Sequence, residues 1–168
     1  MKIKFITTLT CLCISIITFG QQMFGHVNSQ DILAIMPEAS TAQLALQEEL
    51  AGLQEQGQIM MQEFETQQKE FQINQESMNE AVRNDKLKSL ENLQERIVLF
   101  EQSAEQSIQM KQAELFEPIL TKIQNAIDEV AKEKGYAYVF DIVGLQGGIV
   151  YKDDSYDVTE LVKSKLNL

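Results

Sequence analysis

Leu46–Met78 reads LQEELAGLQEQGQIMMQEFETQQKEFQINQESM, and its spacing decides the fold. Leu46, Leu50, Leu53, Gly57, Met60, Phe64, Gln67, Phe71, Asn74 and Met78 fall on an unbroken 4-3-4-3 alternation. That is the spacing of a coiled-coil seam, in which one face of a helix meets a partner helix. The stretch lies inside a longer segment, Pro37 to Gly135, with one internal proline, Pro118, and two internal glycines. In the second half Leu90, Leu93, Ile97, Phe100, Ala104, Ile108, Leu115, Ile119, Ile123, Ile127 and Val130 continue the pattern. Their spacing drifts from 3.5 towards about 3.7, so no single left-handed supercoil serves the whole length.

A continuous helix over this segment would reach about 140 Å at 1.5 Å per residue, whereas a fold-back would give two arms of about 60 Å. Gln67 and Asn74 weaken the seam, and Asn79, Asn84 and Asp85 are poor helix formers, so a tip is expected near 79–85. No glycine or proline marks that turn, and the pattern alone leaves both arrangements open.

Working outward, residues 1–20 have the layout of a cleaved export signal. Lys2 and Lys4 precede the apolar run Phe5–Phe19, and Thr18-Phe19-Gly20 gives a small-x-small pattern before Gln21. The run is about 15 residues, short of the roughly 20 needed to span a bilayer. Both cysteines, Cys11 and Cys13, lie within it, so the processed chain is expected to carry no disulfide. The remaining unit, 21–168, divides into a body from both chain ends (21–36 and 135–168) and helical arms (37–134).

Within the body, Met23–Asn28 reads as a strand. Ser29 is placed to cap a brief helix through Ile35, with Asp31 in its first turn. Pro37 ends that helix; the next starts either at Pro37 itself or at the capping-box spacing of Ser40 to Gln43. Pro118 removes a hydrogen bond from the returning arm, and Gly135 suits the position just past a helix end. Tyr136–Asp141 is a strand with Tyr136, Tyr138 and Phe140 on one face. A glycine turn over Gly144, Gly147 and Gly148 leads to a second expected strand, Ile149-Val150-Tyr151. Asp157 and Glu160 have capping-box spacing ahead of a final helix striped by Val158, Leu161, Val162 and Leu166. The fold class is therefore α+β, mainly α. A body of about 16 plus 34 residues without a disulfide buries too little surface to persist alone, which points to self-association. The expected association residues are Phe24, Val27, Tyr136, Tyr138, Phe140, Ile149 and Tyr151.

Charge narrows the function. The chain has 14 basic and 25 acidic residues. Glu38–Glu80 alone holds nine acids and one base, Lys69. Such a surface repels nucleic-acid backbones and disfavours docking on anionic bilayers. Beyond the signal segment the only histidine is His26, and the clustered His or Cys residues of a transition-metal site are missing. Asp153, Asp154 and Asp157 lack the glycine and terminal glutamate of an EF-hand, and the Gly144–Gly148 loop lacks a following Lys-Ser/Thr. No nucleophile stands beside a base, so an enzyme is not expected, nor a cofactor or a metal.

The arms suggest a different activity. Met60, Met61, Met78 and Met110 accompany Phe64, Phe71 and Phe100, and methionine adapts to partners of differing shape. These seven are the candidate client-binding residues. Arg83, Lys86 and Lys88 form a basic cluster near the expected tip. The competing reading is a structural coiled-coil scaffold or adaptor of the cell envelope with a fixed partner.

The order of elements resembles the Skp/OmpH family of periplasmic chaperones. The likeness rests on Val27-Asn28-Ser29-Gln30 with Ile32-Leu33 and Met36-Pro37-Glu38. It continues in Pro118-Ile119, Lys122-Ile123, Ala126-Ile127 and Val130-Ala131, then in Gly135–Asp141, Gly148–Tyr151, and Asp157-Val158-Thr159 with Leu161-Val162. The resemblance implies a homotrimer with a small β body and three helical hairpins around a cavity. It also implies ATP-independent capture of unfolded outer-membrane proteins. Well-known members are basic and attract clients and lipopolysaccharide electrostatically. This chain is acidic, so a lipopolysaccharide site is not carried over, and holding is expected to rest on apolar contact that salt weakens little.

Overall fold

The computed structural model describes residues 23–144 and 148–168; the expected signal segment and Gly147 lie outside the described residues. In order the elements are β1 (Met23–Val27), α1 (Ser29–Ile35), α2 (Pro37–Asn74), α3 (Glu80–Lys134), β2 (Tyr136–Asp141), a 3-10 turn (Asp154–Tyr156) and α4 (Thr159–Lys165). Two compact units result: residues 23–32 with 124–168, and residues 33–123. No helix among the described residues is long and apolar enough to cross a membrane.

In the first unit β1 and β2 form a parallel pair, with Phe24 opposite Tyr138 and Val27 opposite Asp141. Parallel strands need a long crossover, and here the intervening helices are that crossover. Gly25 lets the Tyr136 ring cross β1 closely: a Cβ there would stand 3.2 Å from the ring. Val27, Ile32, Ala126, Val130, Val158 and Val162 make the core of this unit. Gly135 takes φ +75°, the left-handed conformation that a helix end favours.

Helix caps settle several expectations. Asn28, not Ser29, caps α1, since its Oδ1 accepts from Asp31 N at 3.2 Å. Helix α2 starts at Pro37, so Ser40 lies inside the helix rather than capping it. The capping box expected from Asp157 and Glu160 is not formed: Val158 is the N-cap of α4, Asp157 one position earlier accepts from Thr159 N at 2.8 Å in a local turn, and Glu160 pairs with Lys163 at 2.8 Å.

The expected strand Ile149–Tyr151 is not formed. Val150 and Tyr151 are 97% and 84% exposed, and β1 and β2 pair only with each other apart from an isolated bridge between His26 and Asp157. A strand is defined by a partner edge, and three apolar residues after a turn have none to join here.

The second unit contains α2 and α3 up to Ile123. Facing residues run in opposite directions along them: Glu38 pairs with Lys122, and Gly57 meets Phe100. The helices therefore fold back on each other. The turn occupies residues 75–79, ahead of the expected 79–85. Asn79 Oδ1 accepts from Val82 N at 2.9 Å and so caps α3. Asn84 and Asp85 therefore lie in the second turn of α3, not in the connection between the helices. Pro118 sits inside α3 without ending it.

Candidate functional site

Within residues 33–123 the seam anticipated from spacing is the face that α2 turns inward. Leu46, Leu53, Gly57, Met60, Phe64, Gln67, Phe71 and Met78 are half-buried, whereas Leu50 sits at the edge and Asn74 is exposed. On α3, Leu93, Ile97, Ile119 and Ile123 are buried, with Phe100, Ala104, Ile108 and Leu115 half-buried between them. The middle of α3 is thus less covered than its flanks. Its partner there is Gly57, which brings no side chain to the seam, and Ala104 adds only a methyl group.

The consequence is open space in an apolar wall. One hollow of about 550 Å³ is lined by Leu50, Leu53, Gly57, Phe100, Ala104 and Ile108, with Gln54, Glu101, Glu105 and Gln109. A second, about 430 Å³, shares Gly57, Phe100 and Glu101 and adds Gln58, Met61, Gln62, Glu65 and Ile97. A third, also about 430 Å³, lies where Thr41, Ala42 and Ala45 meet Leu115, Pro118 and Ile119, beside the Glu38–Lys122 pair. Volumes of this order can receive large side chains or small ligands. The Lys122 ammonium beside Glu38 holds that carboxyl below its ordinary range.

The seven candidate client residues separate by position. Met60, Phe64, Phe71, Met78 and Phe100 lie in the seam; Met61 is exposed and lines the second hollow; Met110 is 67% exposed and borders none of the three hollows. Arg83 is engaged elsewhere: its Nη2 donates to the carbonyls of Gln75 and Met78 at 2.8 and 3.4 Å. A guanidinium there satisfies carbonyls left open where α2 ends, which is a structural duty. Lys86 and Lys88 are exposed nearby. Spacing alone missed Glu101, Glu105 and the role of Gly57. The available signal was a glycine in a seam slot, which marks a place where the seam cannot close.

The first unit carries a different surface. Phe24, Tyr138 and Phe140 stack across β1 and β2, with ring centroids 5.7 Å apart for Phe24–Tyr138 and 6.3 Å for the other two pairs. All three are exposed, Tyr138 by 57%. Val27 is buried in the core of its own chain and has no surface for a second copy. Tyr136 and Ile149 are half-buried, and Tyr151 is exposed. His26 is buried with its Nε2 3.5 Å from Asp157 Oδ2, short of a hydrogen bond. Its backbone carbonyl accepts from Val158 N at 2.9 Å, fastening β1 to the segment before α4. Among the described residues no cluster of His, Cys, Asp and Glu could hold a metal ion.

Comparison with known proteins agrees with this architecture. The chain is 29% identical over 137 residues to "Chaperone protein Skp" of Yersinia enterocolitica, covering 79% of each chain. An OmpH-like outer membrane chaperone from Caulobacter crescentus CB15 has the same fold, with a TM-score of 0.71 over 88% of this chain and 85% of that one. Only 8% of residues are identical in that pair, so the likeness is one of fold. The model of the family described as "Outer membrane protein (OmpH-like)" matches residues 23–166, the whole span from β1 to the end of α4, and the chain belongs to that family.

Proposed function

We propose that this protein is an ATP-independent holdase of the periplasm, exported by residues 1–20, that keeps unfolded outer-membrane proteins from aggregating. Its family is one of chaperones, not enzymes. The observation that carries the reading is the unfilled seam of the arm. A spacer would gain stability by closing α2 on α3, yet Gly57 and Ala104 leave apolar wall uncovered beside Phe100. Apolar wall open to solvent costs free energy, about 25 cal/mol per Å², unless another chain covers it in use.

The exposed surface of the first unit supports the same reading. The stacked Phe24, Tyr138 and Phe140 form an exposed aromatic face on a two-stranded sheet, a surface suited to further copies of the chain. A trimer built through these faces would set several arms around one client. The test is direct: the purified protein, without nucleotide, is mixed with a urea-unfolded β-barrel protein on dilution. Suppressed light scattering and a soluble complex are expected. Unchanged aggregation, with binding to one folded partner instead, would favour the scaffold or adaptor.

A further inference from the structure

We infer that the hollows beside the Gly57–Phe100 contact select client segments in which an apolar side chain lies next to Lys or Arg. The inference rests on the holding role proposed above and names the chemistry of the segments held. The larger hollow has an apolar wall, and the charged residues on its border are Glu101 and Glu105, both exposed. The second is bordered by Glu65 and again Glu101. Neither lining includes a basic residue. The surrounding helix deepens the bias, since Glu38–Glu80 carries nine acids against Lys69.

A lysine or arginine suits this arrangement in two ways. Its aliphatic stem can lie along apolar wall while its charged head stays in water near a carboxylate. Its charge also complements the border, which sets partner choice and the rate of encounter. Other occupants fit less well. An anionic lipid headgroup or an acidic segment would place like charges together. A second copy of this chain brings the same excess of 25 acidic over 14 basic residues. A cationic apolar polypeptide segment is the occupant that the charges allow.

The experiment uses two fluorescein-labelled unfolded peptides with one aromatic-aliphatic centre, flanked by lysines in one and glutamates in the other. Fluorescence anisotropy against the purified protein at low salt should show the lysine peptide binding about fivefold tighter, the summed effect of a few exposed charge contacts. In the double variant Glu101→Gln with Glu105→Gln, that ratio should fall towards one without weaker binding of the glutamate peptide. Both glutamines are good helix formers at exposed positions, so folding is preserved. Equal binding of the peptides, preference for glutamate, no binding of either, or an unchanged ratio in the double variant overturns the inference. An aggregation assay on the same preparation separates the two proposals. Suppression without discrimination leaves the holding role standing and removes the selectivity.

Discussion

The Asp141 carboxylate, at the end of β2, holds the first residue of α1: its Oδ1 accepts from Ser29 N at 3.3 Å, and its Oδ2 accepts from the Ser29 hydroxyl. The same Oδ1 also takes Val143 N at 3.1 Å. One side chain thus serves a helix start 112 residues away in sequence and a turn two residues away. The parallel strand pair ends where this carboxylate begins.

Asp141→Ala should therefore destabilise the first unit by about 1–2 kcal/mol, the usual cost of leaving partly buried N–H groups without acceptors. Ser29→Ala should cost less, because the backbone donor remains. Thermal unfolding by circular dichroism checks both, and a double variant no worse than Asp141→Ala alone would show that they act through one contact.

Asp157 gives a pH prediction. Burial raises its pKa, but hydrogen bonds from Thr159 and the charges of His26 and Lys152 outweigh that and hold it below the ordinary aspartate value of 3.8. A carboxyl depressed on folding stabilises the fold fully above its ordinary value, and the contribution disappears as pH falls through the folded value. Asp157→Asn should accordingly lower the urea midpoint at pH 7 and by a smaller margin at about pH 3, below the ordinary aspartate value. A deficit of equal size at both values would mean that the charge is irrelevant and only the amide geometry matters.

What could be read ahead of the structure follows from how local each determinant is. The 3.5-residue seam placed Phe64, Phe71 and Met78 on the inward face, because periodicity is a property of one helix. Gly135 was legible for the same reason. The pairing of β1 with β2 was not, since register across more than a hundred residues leaves no local mark. Ile149–Tyr151 went wrong on that account: an apolar run after glycines has strand chemistry, but only a partner edge makes a strand. Arg83 looked like a free charge because its carbonyl partners depend on where α2 stops. The open hollow was written in the sequence as a glycine in a seam slot, yet its acidic border required knowing which turn of α3 lies opposite.

Tyr138→Asp tests the proposed association face. Tyr138 stacks against both Phe24 and Phe140 with 57% of its surface exposed, so a charge there does little harm to a single chain. Between copies it would be buried without a partner, at a cost of several kcal/mol. Sedimentation should show a shift from oligomer to monomer with helical content retained. A stable oligomer in that variant would place the association surface elsewhere.

Two glycines of α2 allow stability and capture to be separated. Replacing glycine by alanine inside a helix stabilises it by about 0.5–1 kcal/mol, mainly by restricting the unfolded chain. At Gly52 an added Cβ meets nothing within 4 Å, and at Gly57 it would stand 3.4 Å from Phe100 Cε1, an ordinary contact. Gly52→Ala and Gly57→Ala should therefore raise the stability of the arm by similar amounts. Only Gly57 lines the hollows, so only there does the methyl group cover wall that a client would use. Gly57→Ala, and more strongly Gly57→Leu, should hold less unfolded β-barrel protein in the light-scattering assay, with Gly52→Ala unchanged. Equal loss from both alanine variants would mean that arm stiffness, not the space beside Phe100, governs capture.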